Sequence, residues 1–305
     1  MELQRMESGN TEIQIQPTFS QKMKEMGRSL TVLLRSIART RAGAFGLGIF
    51  SAYILIALIG PWLAPHSAYE LDFLKVNQSP SLSHWFGTDA FGRDVLSRVL
   101  VGARSTISMA VAATIVGVSA GVMVGLVTGY YGGWVDEVIM RIVDGLMSFP
   151  SLLLALLIVT TLGSSGINVI LAIGLVFTPR VARIVRSAVL AVRGQEFIEA
   201  ARLRGESGIY IMIREILPNV SAPTTVEAAI RLSYAILLTT SLSFLGLGAQ
   251  PPTPDWGLMV SQSREYITVA PWTVIFPSLA ISFLVVGANL LADGIRDVLS
   301  GGKRD

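Results

Sequence analysis

The stretch QEFIEAARLRGESGIYIMIREILPN, Gln195 to Asn219, is a polar, arginine-bearing segment set between two runs apolar enough to lie in lipid. Its flanks decide how it is read: a charged connection between two membrane-like runs belongs outside the bilayer. A simple anchor has no use for a connection this long. Its form is that of a docking element that reports on events outside the membrane, built around Glu199-Ala200-Ala201, Gly205 and Ile216-Leu217-Pro218.

The rest of the chain agrees with those flanks. Its 305 residues are 51% hydrophobic and only 15% charged, with a mean hydropathy of +0.59, far too apolar for a soluble domain of this size. The composition predicts an all-α, multi-pass membrane protein. The formal charge of +3 and pI near 9.3 do not point to nucleic acid, because the basic residues gather at the ends of apolar runs, where topology accounts for them. The absence of cysteine excludes disulfides, thiolate metal sites and cysteine nucleophiles. His66 and His84, the two histidines, read as solvated loop residues, and no metal site or cofactor is expected.

Residues 1–42 are polar and charged; the first 24 read as a disordered tail, and Arg28, Arg35, Arg39 and Arg41 as a basic collar. The following run is charge-free from Arg41 to Glu70, too long for the core of a signal peptide. A spanning helix needs about 20 apolar residues, and six regions meet that need. They are residues 43–64, a span within 105–135, two spans within 139–186 divided by the turn Gly163-Ser164-Ser165-Gly166, one within 224–247 and one within 271–292. Lysine and arginine set the orientation. Seventeen lie in the N-terminal tail, the region after the fourth span and the C-terminus, against Lys75, Arg93, Arg98, Arg104 and Arg264 on the other side. Both termini and the Gln195–Asn219 segment are therefore expected in the cytoplasm. Arg180, Arg183 and Arg186 share one helical face, which a positive-inside anchor explains as well as a specific contact does.

Within the spans, Gly117, Gly121, Gly125 and Gly129 recur every fourth residue, a smooth stripe that lets another helix backbone approach closely. No ionisable residue falls near a midplane; Asp144 is expected to pair with Arg141, and Glu227 with Arg231. A proton- or ion-coupled carrier keeps carboxylates or histidines at mid-depth, so that class loses weight. The hydroxyls and amide from Ser148 to Asn289 are candidates to line a path, most of them satisfied by backbone. Pro150 and Pro277 are expected to kink the third and sixth spans.

On the outer side, residues 65–102 read as a loop ending in a short amphipathic helix on the membrane surface, with Val95, Leu96, Val99 and Leu100 on one face and Asp94, Ser97 and Arg98 turned away. Asp89 or Thr88 is expected to cap it. Asp89 and Asp94 read as structural carboxylates paired with Arg93 or Arg98, since nothing nearby supplies a nucleophile. FLGLGAQPPTPDWG, Phe244 to Gly257, reads as a rigid loop with Trp256 at the membrane interface. No Gly-x4-Gly-Lys-Ser/Thr phosphate loop, zinc signature, serine elbow or dinucleotide fingerprint occurs. If transport is driven, the motor is another subunit or an ion gradient.

With these residues in view, the Glu199–Asn219 segment resembles the EAA loop of the membrane subunits of bacterial binding-protein-dependent ABC importers, a pattern that places Glu-Ala-Ala three residues before a glycine and ends in Ile-Leu-Pro. GTDAFGRDVLSRVLVGAR, which contains Gly87, Thr88, Asp89, Gly92, Arg93 and Asp94, is similar to the outer signature of the dipeptide/oligopeptide permease branch, as are SLSFLGLGAQPPTPDWG and LLADGIRD. The resemblance runs from about Arg35 to Arg304. It implies six transmembrane helices in the type I ABC importer fold: a first span outside a five-helix core over residues 103–294, with a coupling loop at 195–219 and a cytoplasmic C-terminus at 295–305. It also implies a second, homologous permease subunit, two cytosolic ATPase subunits and an extracytoplasmic peptide-binding protein, in the lipid of a bacterial inner membrane.

By the same resemblance the coupling helix docks in a cleft of the ATPase. Glu199 is then the polar contact, Ala200 and Ala201 permit close approach and Gly205 breaks the helix, with Pro218 also among the coupling residues. The chain itself is expected to be no enzyme. Arg202-Leu203-Arg204 departs from the branch by its extra charge and points to an acidic cleft in the ATPase. Nickel, glutathione or another small solute remain alternative cargoes; an ion-coupled carrier and a membrane scaffold are the rival classes.

Overall fold

The computed structural model describes Val32 and residues 34–300. The expected disordered tail, with Arg5, Lys22, Lys24 and Arg28, and the basic residues Lys303 and Arg304 lie outside the described residues. Nine helices of eight residues or more carry the description: α1 Arg41–Leu63, α2 Val95–Tyr131, α3 Gly133–Met147, α4 Ser151–Leu162, α5 Gly166–Val192, α6 Glu196–Leu203, α7 Ser221–Phe244, α8 Trp256–Ser263 and α9 Trp272–Leu299. No strand occurs among the described residues beyond an isolated bridge between Thr88 and Asp94.

The bundle is organised by where glycines let helices touch. Gly117, Gly121, Gly125 and Gly129 on α2 all lie against α5, and their sequence partners rise in step. A Cβ on Gly117 would lie 2.8 Å from the Phe177 Cβ, one on Gly121 2.5 Å from Val181 Cβ, one on Gly125 2.7 Å from Ala182 O, and one on Gly129 2.7 Å from Val189 Cβ. A register that advances in the same direction on both helices makes α2 and α5 parallel neighbours. With no hydrophobic force between helices in lipid, such close backbone approach supplies the van der Waals attraction. α1 seats against α9 by the same device, since a Cβ on Gly46 would lie 2.2 Å from Leu291 N and one on Gly287 2.5 Å from Ile49 Cγ2.

Among the described residues four helices, α1, α2, α5 and α9, are long and apolar enough to cross a membrane; α3 and α4 qualify only as one broken span, bent by 93°. The third expected span is thus two helices. Its break falls at Ser148-Phe149-Pro150, where Pro150 is the residue preceding α4 and cannot continue the backbone ladder of α3. Pro277 lies inside the unbroken α9. The fifth expected span is α7, whose 24 residues reach about 36 Å but include Glu227, Arg231 and a run of hydroxyls, so its sequence is less apolar than the others.

The expected surface helix near residues 95–100 does not exist as a separate element. α2 runs unbroken for 37 residues from Val95, and its first turn is buried on the polar side: Ser97 and Arg98 are enclosed with Val95. The alternation of polar and apolar residues was right, but the polar face is covered by partners far away in sequence, which periodicity cannot show. Trp256 is likewise not at an interface. It is fully enclosed, edge-on to Tyr53 at 5.8 Å, and its Nε1 donates to the Val99 carbonyl at 2.9 Å.

Two apolar cores result. One holds Val95, Ala103, Ile107, Ala113, Ile173, Phe177, Leu242 and Trp256 with their neighbours. The second gathers Leu126, Val181, Val185 and Val189 around Ile198, Ala201, Ile211, Met212, Ile216 and Val220. α2 and α5 thread both, and the 37 residues of α2 span about 55 Å.

Candidate functional site

At the far end of α2 and α5 the chain turns through Gln195 into α6. The helix carries acidic residues, Glu196 and Glu199, in its first turn, where they complement the positive end of the helix dipole. Its C-terminus is a Schellman closure: Gly205 N–H donates to Arg202 O at 2.9 Å and Glu206 N–H to Ala201 O at 3.2 Å, with Gly205 at φ +78°. A Cβ at Gly205 would meet nothing within 4 Å, so glycine is required there by the left-handed backbone alone. Ser207 then caps the next turn through Tyr210 N at 3.3 Å. A six-residue π-helical stretch, Ile211–Ile216, leads through Pro218 into α7.

Burial divides α6 into two faces. Ile198 and Ala201 are fully enclosed in the second core, against the α5 valines, while Glu199, Ala200, Arg202 and Leu203 face outward. Leu203 is 90% exposed and Ile209 65%. Ala201 therefore cannot permit close approach of another protein, as the resemblance implied; it permits close approach of this chain's own helices, and Ala200 is the small residue on the open face. Arg204 is engaged locally, 3.3 Å from Glu215 and 3.7 Å from Glu206, and the Arg202 guanidinium lies 5.4 Å over the Tyr130 ring. Two further ties brace this end. Arg186 meets Asp136 through two contacts of 2.5 Å, and Arg183 meets Asp144 at 2.5 Å. Asp144 thus pairs across helices with Arg183, not with Arg141 on its own helix. The Glu227–Arg231 pair is present at 2.8 Å and buried.

At the other end, the loop between α1 and α2 folds into a polar knot. Asp89 accepts from Phe91 N at 2.8 Å, Arg93 N at 3.0 Å and Arg93 Nε at 2.8 Å, with Arg98 Nε 3.6 Å away. Arg93 reaches Gln262 on α8 at 3.3 Å, and Arg98 donates to the Ala68 carbonyl at 3.2 Å. Thr88 donates to the Lys75 carbonyl and accepts from Gln78 N at 2.8 Å, while its own carbonyl accepts from Trp272 Nε1 at 3.1 Å. Gly87 and Gly92 both have positive φ, and a Cβ on Gly92 would fall 1.8 Å from Asp72 O.

The cap of α2 is Asp94, not Asp89 or Thr88: its Oδ2 accepts from Ser97 N at 2.8 Å and Ser97 Oγ at 2.7 Å. Its Oδ1 accepts from His84 Nδ1 at 3.0 Å, so His84, 6% exposed, is a buried structural histidine and not a solvated one. The oxygens of Asp89 and Asp94 are committed to nearby donors, an arrangement that fixes a loop and activates no nucleophile.

Sequence reasoning missed Asp255. This buried carboxylate caps α8 through Leu258 N at 3.2 Å and accepts from Thr106 Oγ1 of α2 at 2.9 Å; burial pushes its carboxyl up from the ordinary value. An Asp just before the apolar residues Trp256, Leu258, Met259 and Val260 is the available N-cap cue.

A bundle of long apolar helices with a two-faced helix seated at one end defines a polytopic membrane protein. The chain belongs to the family of binding-protein-dependent transport system inner membrane components, whose model matches residues 121–305; residues 32–80 match the N-terminal TM domain of oligopeptide transport permease C. It is 43% identical over 265 residues to the dipeptide transport system permease protein DppC of Alkalihalophilus pseudofirmus, covering 87% of each chain. It is 46% identical over 247 residues to the glutathione transport system permease protein GsiD of Escherichia coli, covering 81% of this chain and 82% of that one. Among solved structures, an inward-facing MetNI methionine ABC transporter chain aligns with a TM-score of 0.53 at 20% identity, covering 66% of this chain and 96% of that one. The fold is the transmembrane fold of a type I ABC importer, and the chain is a multi-pass inner-membrane permease, not an enzyme.

Proposed function

We propose that the chain is one of a pair of permease subunits that import short peptides, of dipeptide to glutathione size, across a bacterial cytoplasmic membrane. Two cytosolic ATPases drive the cycle and an extracytoplasmic binding protein delivers the cargo. The observation that carries this reading is the two-faced α6. Its inner face is locked into the core formed by α2 and α5 through Ile198 and Ala201, and its outer face offers Glu199, Ala200 and Leu203, exposed among the described residues. A helix so mounted passes displacement to α2 and α5 as a rigid body instead of absorbing it. The orientation that serves this has α6 and both termini in the cytoplasm, in agreement with the 17 basic residues counted on that side.

The polar knot holding Gly87, Thr88, Asp89, Gly92, Arg93 and Asp94 then faces outward and sets the shape of the surface where cargo arrives. The test is reconstitution of the four-subunit assembly with its binding protein in proteoliposomes. ATP-dependent uptake of labelled dipeptide and glutathione is expected, together with a loss of at least tenfold in Glu199→Ala. Uptake that persists without the ATPases when only an ion gradient is supplied sinks the proposal.

A further inference from the structure

Three stretches that are distant in sequence bring metal-ligating side chains together beside the polar knot. His66 lies just after α1, His84 lies within the loop, and Asp94 caps α2. His84 Nδ1 is 3.0 Å from Asp94 Oδ1, His66 Nδ1 is 3.8 Å from the same oxygen, and the two imidazole rings are 4.6 Å apart, tilted by 34°. One ligand atom from each residue lies within 4.8 Å of the others. A tetrahedral ion with bonds of about 2.0–2.1 Å holds its donors roughly 3.3 Å apart, which falls between the two distances to Asp94.

We propose that His66, His84 and Asp94 form a site for a divalent transition-metal ion of the zinc type. Two imidazole nitrogens and one carboxylate oxygen suit zinc and its neighbours, and not magnesium or calcium. Hydrogen bonds to the carboxylate and to the backbone of both histidines hold the three residues in place. Ser97 holds Asp94 Oδ2 by both its N–H and its Oγ, leaving Oδ1 to face the imidazoles. The backbone N–H of His66 donates to the same Ser97 Oγ at 3.1 Å, and that of His84 to Ser81 Oγ at 3.2 Å. The ion takes the place of the hydrogen between His84 Nδ1 and Asp94 Oδ1, and the neutral imidazole then carries its single proton on Nε2.

The fourth position is open. His84 and Asp94 are buried, but the His66 side chain is 42% exposed and lines a cleft of about 510 Å³ together with Tyr69, Arg104 and Thr253. Water, or a donor from an arriving protein, can complete the tetrahedron from that side. An ion here ties the segment after α1 to the first turn of α2, and stiffens the surface that the knot already shapes. The site depends on neither the cargo nor the direction of transport.

The test uses the full-length, untagged chain with its partner permease in nanodiscs, stripped with chelator and titrated with zinc by calorimetry and with cobalt by visible absorption. A single saturable ion per chain is expected, with the intense absorption of tetrahedral cobalt and a zinc-dependent rise in Tm that follows from binding the folded state alone. His66→Ala removes an exposed side chain and leaves the fold intact; it should weaken zinc at least tenfold, as loss of a ligand contact does, and abolish the cobalt bands. Glu70→Gln, a nearby change outside the cluster, should leave both unchanged. If wild-type protein shows no stoichiometric ion, or His66→Ala binds as well as wild type, the site does not exist. Where His84→Ala fails to fold, His66→Ala carries the decision.

Discussion

At the scale of single residues, the two alanines of the Glu199-Ala200-Ala201 triplet have opposite duties, and exchanging their sizes should show it. Ala201→Leu forces three extra carbons into a closed core and should cost about 1–3 kcal/mol, lowering the Tm of the assembled permease. Ala200→Leu should leave Tm unchanged and weaken association with the ATPase, measured by co-purification. Gly205 sets a third test. Its φ of +78° with empty space around it means that Gly205→Ala costs only the left-handed backbone, about 1 kcal/mol, and Gly205→Asn less, since asparagine tolerates that region. Uptake should rank Gly, Asn, Ala; equal uptake in all three would show that the closure of α6 does not matter.

Asp255 makes a pH-dependent claim. Burial raises its carboxyl pKa in the folded state, so the protonated form is favoured by folding. The stability it contributes is present below the unfolded value of about 4 and is lost as pH rises through the higher folded value. Asp255→Asn keeps the cap and should flatten the fall in Tm with rising pH across that window. An unchanged Tm–pH slope would assign the dependence to another group.

At the scale of elements, the glycine stripe of α2 is the part most legible in sequence, because a period of four on an apolar helix has one physical use in lipid. Its partner was not legible: that α5 takes the stripe, in parallel register, depends on the path of α3 and α4 between them. Gly125→Leu should abolish recovery of folded permease from membranes, since even a Cβ there would press to 2.7 Å on the Ala182 carbonyl. Gly145→Leu, with nothing within 4 Å, should be recovered normally, and equal recovery of the two would remove the stripe from the packing.

The misread elements share one cause. The first turn of α2 looked amphipathic because Ser97 and Arg98 are polar, yet their partners, His66, Ala68, Asp89 and Asp94, lie up to 31 residues away. The 93° break at Pro150 looked like a kink because a proline shows where a helix can bend and not how far. Trp256 looked interfacial because indole suits that depth; only the approach of Tyr53 and the Val99 carbonyl shows that it is core.

At the scale of the whole molecule, the second core decides whether α6 acts as a lever or as a patch. Ile198 is fully enclosed among the valines of α5 and the residues of the π-helical stretch. Ile198→Ala leaves the outward face of α6 chemically untouched while opening a cavity beneath it, at a cost of about 2–5 kcal/mol. If α6 is a rigid mount, ATPase subunits should still dock to this variant and hydrolyse ATP, but the displacement would be absorbed in the loosened seat, so uptake per ATP should fall severalfold. Glu199→Ala should behave differently: with the seat intact and the contact gone, docking and coupled hydrolysis should decline together. The two variants are separated by measuring ATP hydrolysis and peptide uptake in the same proteoliposomes. Should Ile198→Ala lose hydrolysis and uptake in equal proportion while remaining folded, the second core serves only to hold the docking face in place, and motion must reach α2 and α5 by another route.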